Sequence, residues 1–188
     1  MRKRMVGFTL ILSFTSAALL FLYAGAGARW AYPLLMTSGT TLYHFTMRLL
    51  VGLGLNGWWH NRLDGHQRWF QEKRWEPKLY QTLRVKAWKR AMPTFEPAVF
   101  DLSKRTLEEV IGAMCQAEVV HEVIILLSFL PLLTPFAVED FFIFFITSLL
   151  AAAVDAVFVV MQRYNRPRLL ELCRRREERA RRNAREAT

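Results

Sequence analysis

The chain has 188 residues, 53% of them hydrophobic, with a net charge of +10. Its apolar residues stand in blocks rather than at amphipathic spacing, so the basic balance points to anionic lipid and cytoplasmic loops and away from nucleic acid. Its two cysteines, Cys115 and Cys173, fall in no paired motif, which excludes a disulfide framework and a cysteine-rich zinc site.

In chain order, Met1–Arg4 carries three basic residues, and an uncharged apolar block follows. That block predicts a first span near residues 6–24. The small residues from Ala24 to Ala28 would also suit cleavage of a secretory signal, but the block is longer than a usual signal core, so a retained span is expected. Residues 34–59 predict a second, weaker span, with Thr37, Ser38, Thr40, Thr41, His44 and Arg48 among its apolar residues. A charge such as Arg48 in mid-span is costly unless it faces protein or water.

Residues 61–116 read as a cytoplasmic, interfacial, amphipathic loop. Trp69, Phe70, Trp75, Tyr80 and Trp88 are interleaved with basic residues there, as suits the headgroup layer. Pro77 is placed to open a helix, Pro93 and Pro97 break the segment, and Ser103 is the expected N-cap of a helix over 102–116. Two strong spans follow near 119–138 and 141–161, joined by a short turn around Glu139 and Asp140, with Pro131 and Pro135 expected to kink the first. Residues 163–188 form an arginine-rich, exposed helical tail. The expected architecture is a single all-α integral membrane domain over 1–188, with about four transmembrane helices.

Charge orients this arrangement. Three Lys/Arg lie at the N-terminus, eleven between 61 and 105 and ten from Arg163 onward, together 24 of the 26. If all three regions are cytoplasmic, an even number of crossings precedes each, so 34–59 must cross. The expected location is the cell (inner) membrane, multi-pass, with both termini cytoplasmic.

The polar residues converge on that cytoplasmic side. Glu118, His121 and Glu122 sit at i, i+3 and i+4 on one helical face, and Asp155 lies inside the last span. Counted from a turn near residue 137, His121 and Asp155 fall at similar depth, within roughly 3 Å at about 1.5 Å per residue. Ionisable residues inside a membrane mark function by default, although an interhelical hydrogen bond that holds the hairpin accounts for the same pair. Acidic residues early in a helix also suit its dipole, and arginines after a span suit a stop signal. Glu118-x-x-His121 is half of a di-metal pattern whose second half the chain lacks, so no metal and no cofactor is expected. Cys115 is more readily a buried inert thiol than a nucleophile.

The string Gln162-Arg163-Tyr164-Asn165-Arg166-Pro167-Arg168-Leu169, with Ala117-Glu118-Val119-Val120-His121 and Trp88-Lys89 ahead of it, resembles the glycosyl-4,4'-diaponeurosporenoate acyltransferase family of staphyloxanthin-type carotenoid synthesis. The resemblance covers roughly residues 60–172, and the Gln162–Arg168 string is its specific part. The chain departs from the family in its long arginine-rich tail and around Thr94–Ser103. The resemblance implies a membrane O-acyltransferase that esterifies a sugar hydroxyl of a carotenoid glycoside with a fatty acyl chain.

Such chemistry needs a base for the hydroxyl proton and an electropositive group for the oxyanion. In that scheme His121 is the base, oriented by Glu118 or Asp155, and Arg163 or Arg166 meets the oxyanion or an anionic group. Tyr164, Asn165 and Arg168 complete the substrate contacts, while Lys86, Trp88 and Lys89 cover the pocket. The partners are a lipid or glycolipid acceptor, a fatty acyl donor and membrane lipids, with no nucleic acid. Two other readings stay open: a non-catalytic membrane subunit and a metal-dependent lipid-modifying enzyme.

Overall fold

The computed structural model describes residues 2–92, 97–134 and 139–186. The regular elements among them are helical, and no strand occurs there. In chain order they are α1 (Arg2–Ala24), α2 (Ala31–Trp59), α3 (Glu76–Thr82), α4 (Val85–Trp88), α5 (Leu107–Ser128) and α6 (Phe141–Glu186), with short 3-10 turns at Arg68–Phe70, Lys89–Ala91, Pro97–Phe100 and Leu130–Leu133.

The protein is an all-α membrane protein, and among the described residues three helical stretches are long and apolar enough to cross a bilayer: α1 from Lys3, α5 with the turn that runs to Leu133, and α6. At 29 residues α2 has the length of a crossing, about 44 Å at about 1.5 Å per residue. Its hydroxyls, His44 and Arg48 leave it outside the apolar set.

Three helix boundaries differ from the sequence expectation. The helix expected over 102–116 and the span expected from 119 are one helix, α5, because no breaker separates them. Its cap is Thr106, not Ser103. The Thr106 N–H donates to Glu109 Oε2 at 2.9 Å and the Glu109 N–H donates back to Thr106 Oγ1 at 3.2 Å, a reciprocal capping box. Ser103 instead donates from its N–H and its hydroxyl to Asp101 Oδ1. At the far end Pro131 does not kink the helix: α5 stops at Ser128 and Pro131 sits in the following 3-10 turn, since a proline supplies no N–H to continue the ladder. Pro77 lies in the first turn of α3, as expected, and α6 runs through Pro167 into the exposed arginine-rich tail without a break. Pro93, Pro135, residues 94–96 of the unmatched stretch and the turn near 137 lie outside the described residues.

The chain divides into two compact units, and α2, α5 and α6 each contribute to both. The first comprises Met1–Gly57 and Val120–Val157. Within it no residue of the apolar window of α1 is buried, so side chains such as Phe14 and Phe21 face outward, as suits lipid. Tyr32 at the start of α2 donates to Asp140 Oδ2 at 2.5 Å, and Tyr43 donates to the Leu127 carbonyl at 2.8 Å.

The second unit comprises Trp58–Val119 and Phe158–Thr188. Phe70, Ile111 and Cys115 form one buried cluster, with Leu63, Leu169 and Leu170 against it. Tyr80, Val85 and Tyr164 form another, with Trp88 and Val160 against it. After α2 the chain turns through His60 and Asn61, both at positive φ, and the Asn61 N–H donates to Gln116 Oε1 at 2.6 Å. Gly112 on α5 permits that approach: a Cβ there would lie 2.5 Å from the Asn61 carbonyl oxygen.

Candidate active site

In the first unit, three ionisable side chains from three helices meet. His121 of α5 places Nδ1 2.8 Å from Asp155 Oδ1, so the side chains expected at one depth are in hydrogen-bond contact. Arg48 of α2 takes the other carboxylate oxygen. Its Nε donates to Asp155 Oδ2 at 2.9 Å, and a terminal nitrogen donates to that oxygen and, at 2.9 Å, to the Ala151 carbonyl. Asp155 is buried, and the side chain of His121 keeps 22% of its surface exposed. A lone carboxylate or guanidinium is costly in an apolar interior, whereas this pair is charge-balanced and hydrogen-bonded. An ionised Asp155 can only accept, so with it the contact places a proton on His121 Nδ1, the tautomer in which a neutral imidazole has Nε2 as its base.

In the second unit, Glu118 lies on the same helix as His121, but its two oxygens each accept from an arginine. Arg163 donates to Oε1 at 2.5 Å, and Arg166 donates to Oε2. Arg163 also bonds Glu76 Oε1 through Nε at 2.9 Å and reaches the Trp69 and Gln71 carbonyls. Arg166 also donates to the Phe70 carbonyl, through Nε at 3.0 Å. Glu76, Glu118 and Arg166 are each no more than 2% exposed. Two carboxylates and two guanidiniums thus form a charge-balanced quartet, buried except for the partly exposed Arg163. Tyr80 donates to Glu76 Oε2 at 2.8 Å, and burial foremost, then that hydrogen bond, pushes its phenol above the usual range.

The remaining substrate candidates partly converge around Tyr164. Lys89 Nζ lies 4.7 Å from the ring centroid and donates to Asn165 Oδ1 at 2.6 Å. The guanidinium of Arg168 lies 3.6 Å from the same centroid and donates to the Tyr164 carbonyl. Trp88 is half-buried against this cluster and donates its indole N–H to the Leu83 carbonyl at 2.8 Å, and Lys86 is exposed. Cys115 is fully buried beside Phe70 and Ile111, in the surroundings of an inert core thiol.

Two participants, Arg48 and Glu76, were not among the sequence candidates. For Arg48 a signal existed: it and Asp155 are charges of opposite sign set singly in apolar blocks, and such charges seek each other. Glu76 offers no such cue, standing among alternating charges in a polar segment.

Comparison with curated proteins and with solved structures returns no match. A family model, that of glycosyl-4,4'-diaponeurosporenoate acyltransferase, matches residues 66–175, well over half of the chain. The matched stretch holds His121, Asp155, the charge-balanced quartet and the Tyr164 cluster, and Arg48 lies ahead of it. With the resembling motifs inside that match, the chain belongs to the glycosyl-4,4'-diaponeurosporenoate acyltransferase family.

Proposed function

We propose that the protein is a membrane-bound O-acyltransferase that moves a fatty acyl chain onto a hydroxyl of a lipid or glycolipid of the carotenoid-glycoside kind. The observation that carries this reading is the Arg48–Asp155–His121 chain. Arg48 pairs with Asp155, Asp155 accepts from Nδ1–H and so holds that tautomer, and Nε2 of His121 takes the proton from the acceptor hydroxyl. The hydroxyl oxygen then bonds to the acyl carbon, the donor's leaving group departs, and the imidazolium returns its proton to that group.

Glu118 does not serve as the orienting carboxylate in this scheme, because both of its oxygens accept from arginines. For the same reason Arg163 and Arg166 are structural. Within the second unit, Arg168 and Lys89 beside Tyr164 and Asn165 take over the anion-binding role. Trp88 and Lys86 border that surface.

A direct test uses the purified full chain in lipid nanodiscs, with a labelled fatty acyl thioester and a glycosylated polyene lipid. Labelled ester is expected. Asp155→Asn, which keeps the shape but loses the charge and favours the wrong tautomer, should lower turnover by at least about tenfold. If a folded preparation forms no ester with any hydroxylated lipid, the non-catalytic subunit becomes the better reading.

Topology completes the proposal. Both termini and residues 61–116 face the cytoplasm, and α2 crosses the membrane, because 24 of 26 Lys/Arg lie in the three segments so assigned. A reporter fused after Arg90 should register the cytoplasm. Registration on the opposite side would mean that α2 does not cross.

A further inference from the structure

The first unit contains buried polar atoms that the proposed proton path does not use. Tyr32 with Asp140, and Arg48 with Ala151 and Asp155, set α2 and α6 side by side and running the same way. One turn back from Arg48 along α2 is His44, and one turn back from Ala152 along α6 is Ser148. His44 is 3% exposed and Ser148 is fully buried. Among the described residues, neither ring nitrogen of His44 and not the Ser148 hydroxyl has a hydrogen-bond partner.

Neighbouring hydroxyls contrast with these. Thr40 and Thr147 bond to carbonyls of their own helices, as does Ser128, and Tyr43 reaches the Leu127 carbonyl. Buried polar groups without partners are rare, and two at one level of a helix pair call for an explanation.

We propose that His44 and Ser148 form a subsite for an uncharged acceptor oxygen, the ester or thioester carbonyl of an apolar lipid, within the membrane unit. Both groups can donate, the imidazole through one N–H and the serine through its O–H. Met47, Phe144, Ala151 and Ala152, buried on the same two helices, supply apolar surroundings. A charged ligand fits poorly, because Arg48 and Asp155 already balance each other and an added ion would stand uncompensated. His44 also lies within electrostatic reach of Arg48 and Asp155, next to the proton path.

Assigning the carbonyl to a substrate rests on the acyl-transfer reading above, so the test includes a readout that does not need turnover. The full chain in nanodiscs is loaded with a lipid carrying a 13C-labelled carbonyl, either a fatty acyl thioester or a glycosyl ester, and its carbonyl stretch is followed by isotope-edited infrared spectroscopy. A second, lower-frequency band is expected with one of the two probes, and that probe identifies the source of the carbonyl. The band should disappear in Ser148→Ala and in His44→Phe, while both variants melt at or above the wild-type temperature, since each removes an unsatisfied polar group. In the transfer reaction the KM for that substrate should rise roughly tenfold per lost hydrogen bond, and kcat should fall as well where the held carbonyl is the thioester that reacts. A band absent with both probes, or unchanged in both variants, would overturn the subsite. If the shifted band persists in a chain that forms no ester, the subsite stands and the acyl-transfer reading fails.

Discussion

Arg166→Ala is expected to destabilise the protein more than any other single truncation in the second unit. The guanidinium is 1% exposed and ties α6 to Glu118 of α5 and to the Phe70 carbonyl of the loop. Its removal leaves the Phe70 carbonyl short of a donor and the quartet one positive charge short. Breaking a buried ion pair from one side costs about 3–5 kcal/mol. In a chain of this size that corresponds to roughly 10 °C in melting temperature, at about 2–4 °C per kcal/mol.

Arg166→Lys should fall between, since an ammonium keeps the charge but not the planar fork that serves two acceptors. Thermal melts of nanodisc-embedded variants measure both. If Arg166→Ala melts like the wild type and loses only activity, the arginine belongs to substrate binding, and the structural role assigned to the quartet is wrong.

Much of the architecture was legible because lipid imposes simple demands. An uncharged block of about twenty residues admits little besides a helix, and α1 and the apolar start of α6 follow from that alone. The start of α5 was missed because Ser103 precedes the apolar run at a plausible distance, while the capping box that sets the boundary needs Thr106 and Glu109 read together. The hairpin count placed His121 level with Asp155, since rise per residue is nearly constant in helices.

The role of the Gln162–Arg168 string was less legible. Arginines after a span read as lipid- or substrate-facing, and only folding shows that Glu76 and Glu118 neutralise two of them. His44 gave no cue either, because whether a histidine in a helix has a partner depends on the neighbouring helices.

His121→Ala is the second large effect. The side chain joins α5 to Asp155 but is partly exposed, so its loss should change folded abundance little. In the proposed reaction its loss weighs far more. A positioned base contributes on the order of 10²–10⁴-fold to rate. His121→Gln can still donate to Asp155 yet cannot accept a proton to become a cation, so it should be nearly as inactive as the alanine variant. That pairing separates a base from a helix-packing group, which glutamine would largely rescue.

The most direct measurement is ester formation by purified wild type, His121→Ala and His121→Gln at equal folded amount in the same nanodiscs. Turnover reduced on the order of 10²-fold or more in both variants, with unchanged melting temperatures, is the expected result. Near-normal turnover in His121→Ala would contradict the account and leave the histidine as a contact between helices.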